Sequence, residues 1–343
     1  MSEHSCVHEE PASEAARALV ACRELLGRAR SLVHTDAAGS LAAAHAALAA
    51  ARTLPRRQAG RRDLVAEAWA AIANAQRLAE DYPAAARAWR KVHGSWRLTA
   101  ENRPLGARLL RLEAAYFRGL REFEAAHQRL RRAIKLCQLS GDRHQEGQVR
   151  LARSRLFEVE GAKPEALREL LAALPLLDPA EDCDATFLAF HCAAGFLAEL
   201  NRPRQAKVLL ATIEPYYRLF GGELLQLRAC WLTGKVLAAL GCWREAEEHL
   251  ERARAGFLAQ GLPYDASLAG LELALAWLAQ GKPWQVRELA REMFEVFSAK
   301  DIPREASAAL LLFAHAARAG TLTLEQARHF AERASAARCE RPT

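Results

Sequence analysis

The hexamer GCWREA, residues 241–246, decides the fold. It follows CWLTGKVLAAL at 230–240, a run with helical character that Gly241 brings to an end. Trp243 lies two residues on, and Ala246 three further opens the next helix. The phrase recurs: Ala85, Ala126, Ala166, Ala206 and Ala246 are followed by Val286, in steps of 41 and then four times 40 residues. A fixed period of that size predicts stacked helical hairpins, a solenoid.

Other columns keep the same register. Twelve residues before each anchor sits a small residue: Ala73, Ala114, Ser154, Ala194, Gly234 and Ala274. Nine before it stand Gln76, Phe117, Phe157, Leu197, Leu237 and Trp277, and four after it Trp89, Leu130, Leu170, Leu210, Leu250 and Ala290. Small residues let two helices cross closely while large ones fill the space beside the crossing. Ala166, Ala206 and Ala246 are therefore expected to be buried at helix crossings.

These residues resemble the tetratricopeptide repeat family. Repeat 227–260 matches its pattern through Gly234, Gly241, Trp243, Ala246, Leu250 and Ala253, and repeat 66–99 through Trp69, Ala73, Tyr82, Ala85 and Trp89. The family's usual period is about 34 residues, so each repeat here is longer by about six, which adds most of a turn to each of its helices. That length is similar to the repeats of some bacterial regulators and signalling proteins. The resemblance covers residues 60–300 and implies an all-α, right-handed α-solenoid of stacked antiparallel hairpins, a tetratricopeptide-like superhelix. Fold of this kind does not fix function.

The period divides the chain into a polar tail over 1–10, expected to be disordered, a divergent capping hairpin over 11–54, six repeats over 63–300 and a last hairpin over 303–343. Asp36 with Gly39–Ser40 reads as the turn and cap of the first hairpin. LPRRQAGRRD at 54–63 reads as a flexible loop. Composition is that of a soluble chain, 51% hydrophobic and 26% charged. No apolar run approaches the ~18 residues a membrane span needs, and the N-terminus MSEHSCVHEEP is unlike a secretory signal; a cytoplasmic location is expected, with no membrane partner. The eight cysteines, at 6, 22, 137, 183, 192, 230, 242 and 339, mostly fall inside helical patterns and read as reduced thiols. His4, Cys6 and His8 are too few for a structural zinc site, and neither cofactor nor metal is expected.

Catalytic signatures are missing: the sequence contains no GxSxG, no HExxH and no glycine-rich phosphate loop, and the chain reads as a non-enzyme. His191 and Cys192 are neighbours, but consecutive helical residues diverge by about 100°. Charge is more informative. The net +7 is concentrated, with 23 basic against 10 acidic residues from Arg52 to Arg155, an excess of 13.

In the family, the first helix of each repeat lines the concave face. Carrying its offsets over implies a partner-binding line through Asn74, Arg77, Arg108, Arg111, Arg118, Arg155, His191, Arg228, Trp231 and Lys235, with Glu67, Gln148 and Glu199 beside it. Such a wall suits an acidic protein or peptide, since arginine grips carboxylates bidentately, with Trp231 as its rigid anchor and loops 54–63 and 101–104 placed to close one end. The family's chaperone-tail clamp is only half met, because Asn74 fits while Ala70 stands where a lysine is needed. Further on, Leu268, Leu271, Leu275 and Leu278 occupy the corresponding positions; the C-terminal hairpin or a second subunit, making a homodimer through this end, is expected to cover them.

Two functions remain in play. One is a scaffold or adaptor that holds a protein or acidic peptide in this groove. The other is a regulator of a bacterial signalling or defence system that engages nucleic acid through the basic segment or senses a peptide.

Overall fold

The computed structural model describes residues 11–33, 35–220, 222–297 and 304–339. The tail over 1–10, with His4, Cys6 and His8, lies outside the described residues. Among them there are helices and no strand. The chain forms two compact units, one ending at Leu156 and one beginning at Phe157, inside α7. The first holds α1 (Pro11–Leu32), α2 (Ala37–Thr53), α3 (Arg61–Leu78), α4 (Tyr82–Ser95), α5 (Arg103–Gly119), α6 (Phe123–Ser140) and most of α7 (Arg143–Val159). The second holds α8 (Lys163–Ala173), a 3₁₀ turn at Leu174–Leu176, α9 (Cys183–Glu199), α10 (Pro203–Phe220), α11 (Glu223–Ala239), α12 (Trp243–Ala259), α13 (Pro263–Ala279), α14 (Pro283–Phe297), α15 (Arg304–Arg318) and α16 (Leu324–Cys339).

The hairpins are antiparallel pairs packed along the period read in the sequence. Ala85, Ala126, Ala166, Ala206, Ala246 and Val286 are all buried, and so is every member of the small-residue column twelve positions before them. At Gly234 the reason is visible. A methyl group there would lie 2.7 Å from Leu250 Cγ and 3.3 Å from the Ala246 carbonyl oxygen, so α11 meets α12 at backbone distance and Leu250 closes the gap. Each large side chain buried beside such a crossing contributes roughly 1.5–3 kcal/mol.

Each hairpin turns in the same way. Five residues before each anchor the backbone is left-handed: Glu80, Arg121, Gly161, Asn201, Gly241 and Gly281 have φ of 60°, 60°, 76°, 57°, 77° and 70°. The amide of Gly241 bonds to Ala238 O at 3.0 Å and that of Cys242 to Leu237 O at 2.9 Å, and the other five turns repeat the pair. This is the glycine-type helix stop, which satisfies the last carbonyls of the outgoing helix. Three of the six positions lack the glycine that fits it best.

Helix starts are equally local. Asp36, Asp81 and Asp182 accept hydrogen bonds from Gly39, Ala84 and Ala185 amides at 2.8, 2.9 and 2.9 Å, satisfying donors that the helix itself leaves open. Thr323 and Gln326 form a reciprocal capping box before α16. The 54–63 connector is held where α3 begins, by Arg61 Nε donating to Leu54 O at 2.8 Å. Cys22, Cys137, Cys183, Cys192, Cys230 and Cys242, the cysteines whose side chains are described, are free thiols. No helix among the described residues is long and apolar enough to cross a membrane.

Candidate partner-binding face

In the first unit the residues in question lie on α3, α5 and α7. Helix α3 buries Leu64, Ala68, Ile72 and Ala75 and leaves Glu67, Asn74 and Arg77 half-buried along one stripe. Helix α5 does the same with Arg108, Arg111 and Arg118. The spacings of three and seven residues put each set on one side of its helix.

The cations are not a bare wall. Glu67 Oε1 bonds to Arg108 of α5 and also to Arg30 of α1, the latter at 2.8 Å, so one carboxylate links three first helices. Asn74 Oδ1 accepts from Arg77 Nε and Nη2 at 3.2 and 3.0 Å, which orients the guanidinium. Burial holds Arg77 below the ordinary arginine value; Tyr82 opposes this, while the charge of Arg155 adds to it. Gln148 bonds to His144 at 3.2 Å. Loops 54–63 and 101–104 are tied together, because Trp96 Nε1 and Asn102 Nδ2 both donate to Asp63 Oδ1, at 2.8 and 3.1 Å.

The second unit holds His191 on α9 and Arg228, Trp231 and Lys235 on α11. Here the sequence reading needs correction at Trp231. The indole is only 7% exposed and packs edge-on against Phe257, with centroids 6.0 Å apart, so it is a core residue and not a projecting anchor. Helix α11 packs against α9, α12 and α13, which leaves a large side chain on it little route to solvent. Lys235 covers the ring, its Nζ 5.7 Å from the centroid, and pairs with Glu272 of α13 at 3.2 Å. Glu199 pairs instead with Lys163 at 2.7 Å. Two shallow clefts of this unit, of about 150 and 440 Å³, are lined by Arg254, Ser267 and Met293 and by Asn201–Gln205 with Leu240, and neither includes any of the ten expected residues.

The leucine stripe is covered by its own chain. Leu268 and Leu271 are buried, and Ala327, Ala331 and Ala334 of α16 join the same core. Tyr264 Oη donates to Ala334 O at 2.7 Å. The C-terminal hairpin therefore covers Leu268 and Leu271, one of the two covers expected, while Leu275 and Leu278 remain half-buried.

Sequence reasoning missed Arg30 and Glu272. Arg30 sits in the divergent first hairpin, outside the register, and Glu272 falls within an otherwise apolar stripe. It also missed the Glu113 node: this buried carboxylate of α5 bonds to His93 Nε2 of α4 at 2.9 Å and to Arg129 Nε of α6 at 3.3 Å.

No family model and no curated protein matches the sequence. Solved structures do match in fold. The apo form of RapI superposes with a TM-score of 0.69 at 12% identity, over 92% of this chain and 97% of that one. A STAND signal-transduction ATPase with a tetratricopeptide repeat sensor, from Pyrococcus horikoshii, gives 0.68 at 13%, over 96% of this chain and 50% of that one. A Rap protein complexed with competence and sporulation factor gives 0.60 at 14%, over 95% and 88%. The fold of this chain is accordingly of the tetratricopeptide type.

Proposed function

We propose that this chain is a non-enzymatic binding module that holds an acidic segment of a partner protein or peptide on the first-helix face of its N-terminal unit. The observation that carries this reading is the row of half-buried guanidinium groups at Arg77, Arg111, Arg118 and Arg155 on first helices, with Asn74 Oδ1 fixing that of Arg77. Half-buried guanidinium groups in such a row favour a carboxylate, which each can hold through charge-assisted, bidentate hydrogen bonds. Arg111 and Arg118 lie on the same side of α5 as Arg108, which shares Glu67 with Arg30. Lys235, Arg228 and His191 would make a separate, weaker contact on the second unit, without an aromatic anchor. One structure of similar fold, a Rap protein, was solved in complex with competence and sporulation factor, which agrees with a binding role for this fold.

The test is a fluorescence-anisotropy panel of acidic, neutral and basic dodecapeptides, measured against the full chain and an Arg77→Ala/Arg111→Ala/Arg155→Ala variant. The expected result is selective binding of acidic peptides that weakens with salt and falls at least about tenfold in the variant, one lost charge-assisted bond costing about 1.5–3 kcal/mol. Equal affinity for acidic and basic peptides would overturn the reading.

A further inference from the structure

We propose that the opposite side of the N-terminal unit, the outward face of α4 and α6, is a docking surface for the phosphate backbone of duplex nucleic acid. Three observations meet there. First, α4 and α6 expose Arg87, Arg90, Lys91, Arg131, Arg132 and Lys135, and in the two helices together the one carboxylate is Glu124, which pairs with Arg131. Second, both helices are tied to the same carboxylate: His93 of α4 and Arg129 of α6 both bond to the buried Glu113 of α5, which holds the two cation-bearing helices to one common element.

Third, this surface lacks what other polyanionic partners would need. A protein interface draws most of its energy from buried aromatic and apolar anchors, and single strands stack their bases on exposed aromatics. Here Trp89 is buried, Tyr82 and Phe123 are half-buried at the helix starts, and Leu139 is the large apolar side chain that the two helices expose. Phosphate contact requires charge and hydrogen-bond donors alone. Two helices carrying six exposed cations, one of them paired with Glu124, fit a regular, sequence-independent phosphate array. A peptide held on the first-helix face would leave this surface free, so the two sites are separable.

The experiment uses the full chain with a labelled 20-base-pair DNA duplex, the RNA duplex of the same sequence, and an unstructured single strand of equal charge, titrated across salt. Duplex binding is expected to weaken by about 10³-fold between 50 and 200 mM salt, as six phosphate contacts require. Duplexes are expected to bind tighter than the single strand. The Arg90→Glu/Lys91→Glu/Arg132→Glu/Lys135→Glu variant should lose duplex binding at least 100-fold, and the same four positions changed to Gln should lose it in part, both variants keeping the wild-type helical spectrum. The Arg77→Ala/Arg111→Ala/Arg155→Ala variant should bind duplex within about twofold of wild type by the same phosphate count. Salt-independent binding, tighter binding of the single strand, or unchanged affinity in both quadruple variants would overturn the proposal. A DNA result that differs from the RNA result identifies which duplex geometry the surface accepts.

Discussion

Replacing Gly234 by alanine should destabilise the C-terminal unit, although glycine-to-alanine changes inside helices usually do the opposite. Two opposed effects decide the sign. Alanine is the better helix former by about 0.8–1.0 kcal/mol. Against that, the new methyl would lie 2.7 and 2.9 Å from Leu250 Cγ and Cδ2 and 3.3 Å from the Ala246 carbonyl oxygen. Leu250 is fully buried, and its Cγ is not the free end of a flexible chain, so α11 and α12 must move apart. Overpacking of that kind costs about 1–3 kcal/mol, more than the propensity gain through most of its range. The net loss is about 1 kcal/mol, or about 2–4 °C in a unit of this size. Gly195 of α9 supplies the control: a methyl there meets nothing within 4 Å, so Gly195→Ala should raise the melting temperature. The assay is thermal unfolding of both variants by circular dichroism. If Gly234→Ala stabilises as much as Gly195→Ala does, the close crossing of α11 and α12 is wrong.

The Glu113 node gives a pH signature. The hydrogen bond to Glu113 raises His93 above its ordinary 6.5, and this stability is fully present below that pH and is lost as pH rises through the raised value. Glu113 is pulled up by burial, yet His93 and Arg129 together hold it below its ordinary 4.5, so its contribution is present above that pH and fades on acidification. The stability gap between wild type and His93→Gln should thus be widest at about pH 5–6 and close toward alkaline pH; a gap constant from pH 5 to 9 would refute the bond. At the left-handed turn position 121, Arg121→Gly should stabilise by up to about 1 kcal/mol, because an L side chain there is strained by about 1–2 kcal/mol and glycine gives back part of that in chain entropy; denaturant unfolding with a lowered midpoint would contradict the turn. Burial pushes the Cys137 thiol up to about 12, so it should alkylate last among the described cysteines in native protein at neutral pH, and early modification would contradict its burial.

The fold was legible because its period is written in side-chain size. Alanine at 166, 206 and 246 cannot be replaced by a bulky residue without separating two helices, so the crossing leaves a trace that chain composition does not hide. The turns were legible where glycine marks them, at 161, 241 and 281, and less so at Glu80, Arg121 and Asn201, where tertiary packing imposes the same backbone on residues that do not prefer it. The candidate face was legible as a set of positions but not in its electrostatics. Arg108 pairs with Glu67, and Lys235 with Glu272, forty-one and thirty-seven residues away across neighbouring helices, distances that a one-dimensional count of charge cannot resolve. Trp231 failed for a related reason: α11 is apolar around much of its circumference, so register alone does not say which of its large residues faces out.

The central claim is that Arg77 and Arg155 hold a carboxylate, and a charge-swap cycle tests it most directly. An acidic peptide selected with the wild-type chain, and the same peptide with its acidic residues changed to lysine, are each titrated calorimetrically into wild type and into Arg77→Glu/Arg155→Glu. The account predicts that wild type prefers the acidic peptide and that the variant reverses the preference. The same ranking of the two peptides by both proteins, with the variant folded, would contradict it.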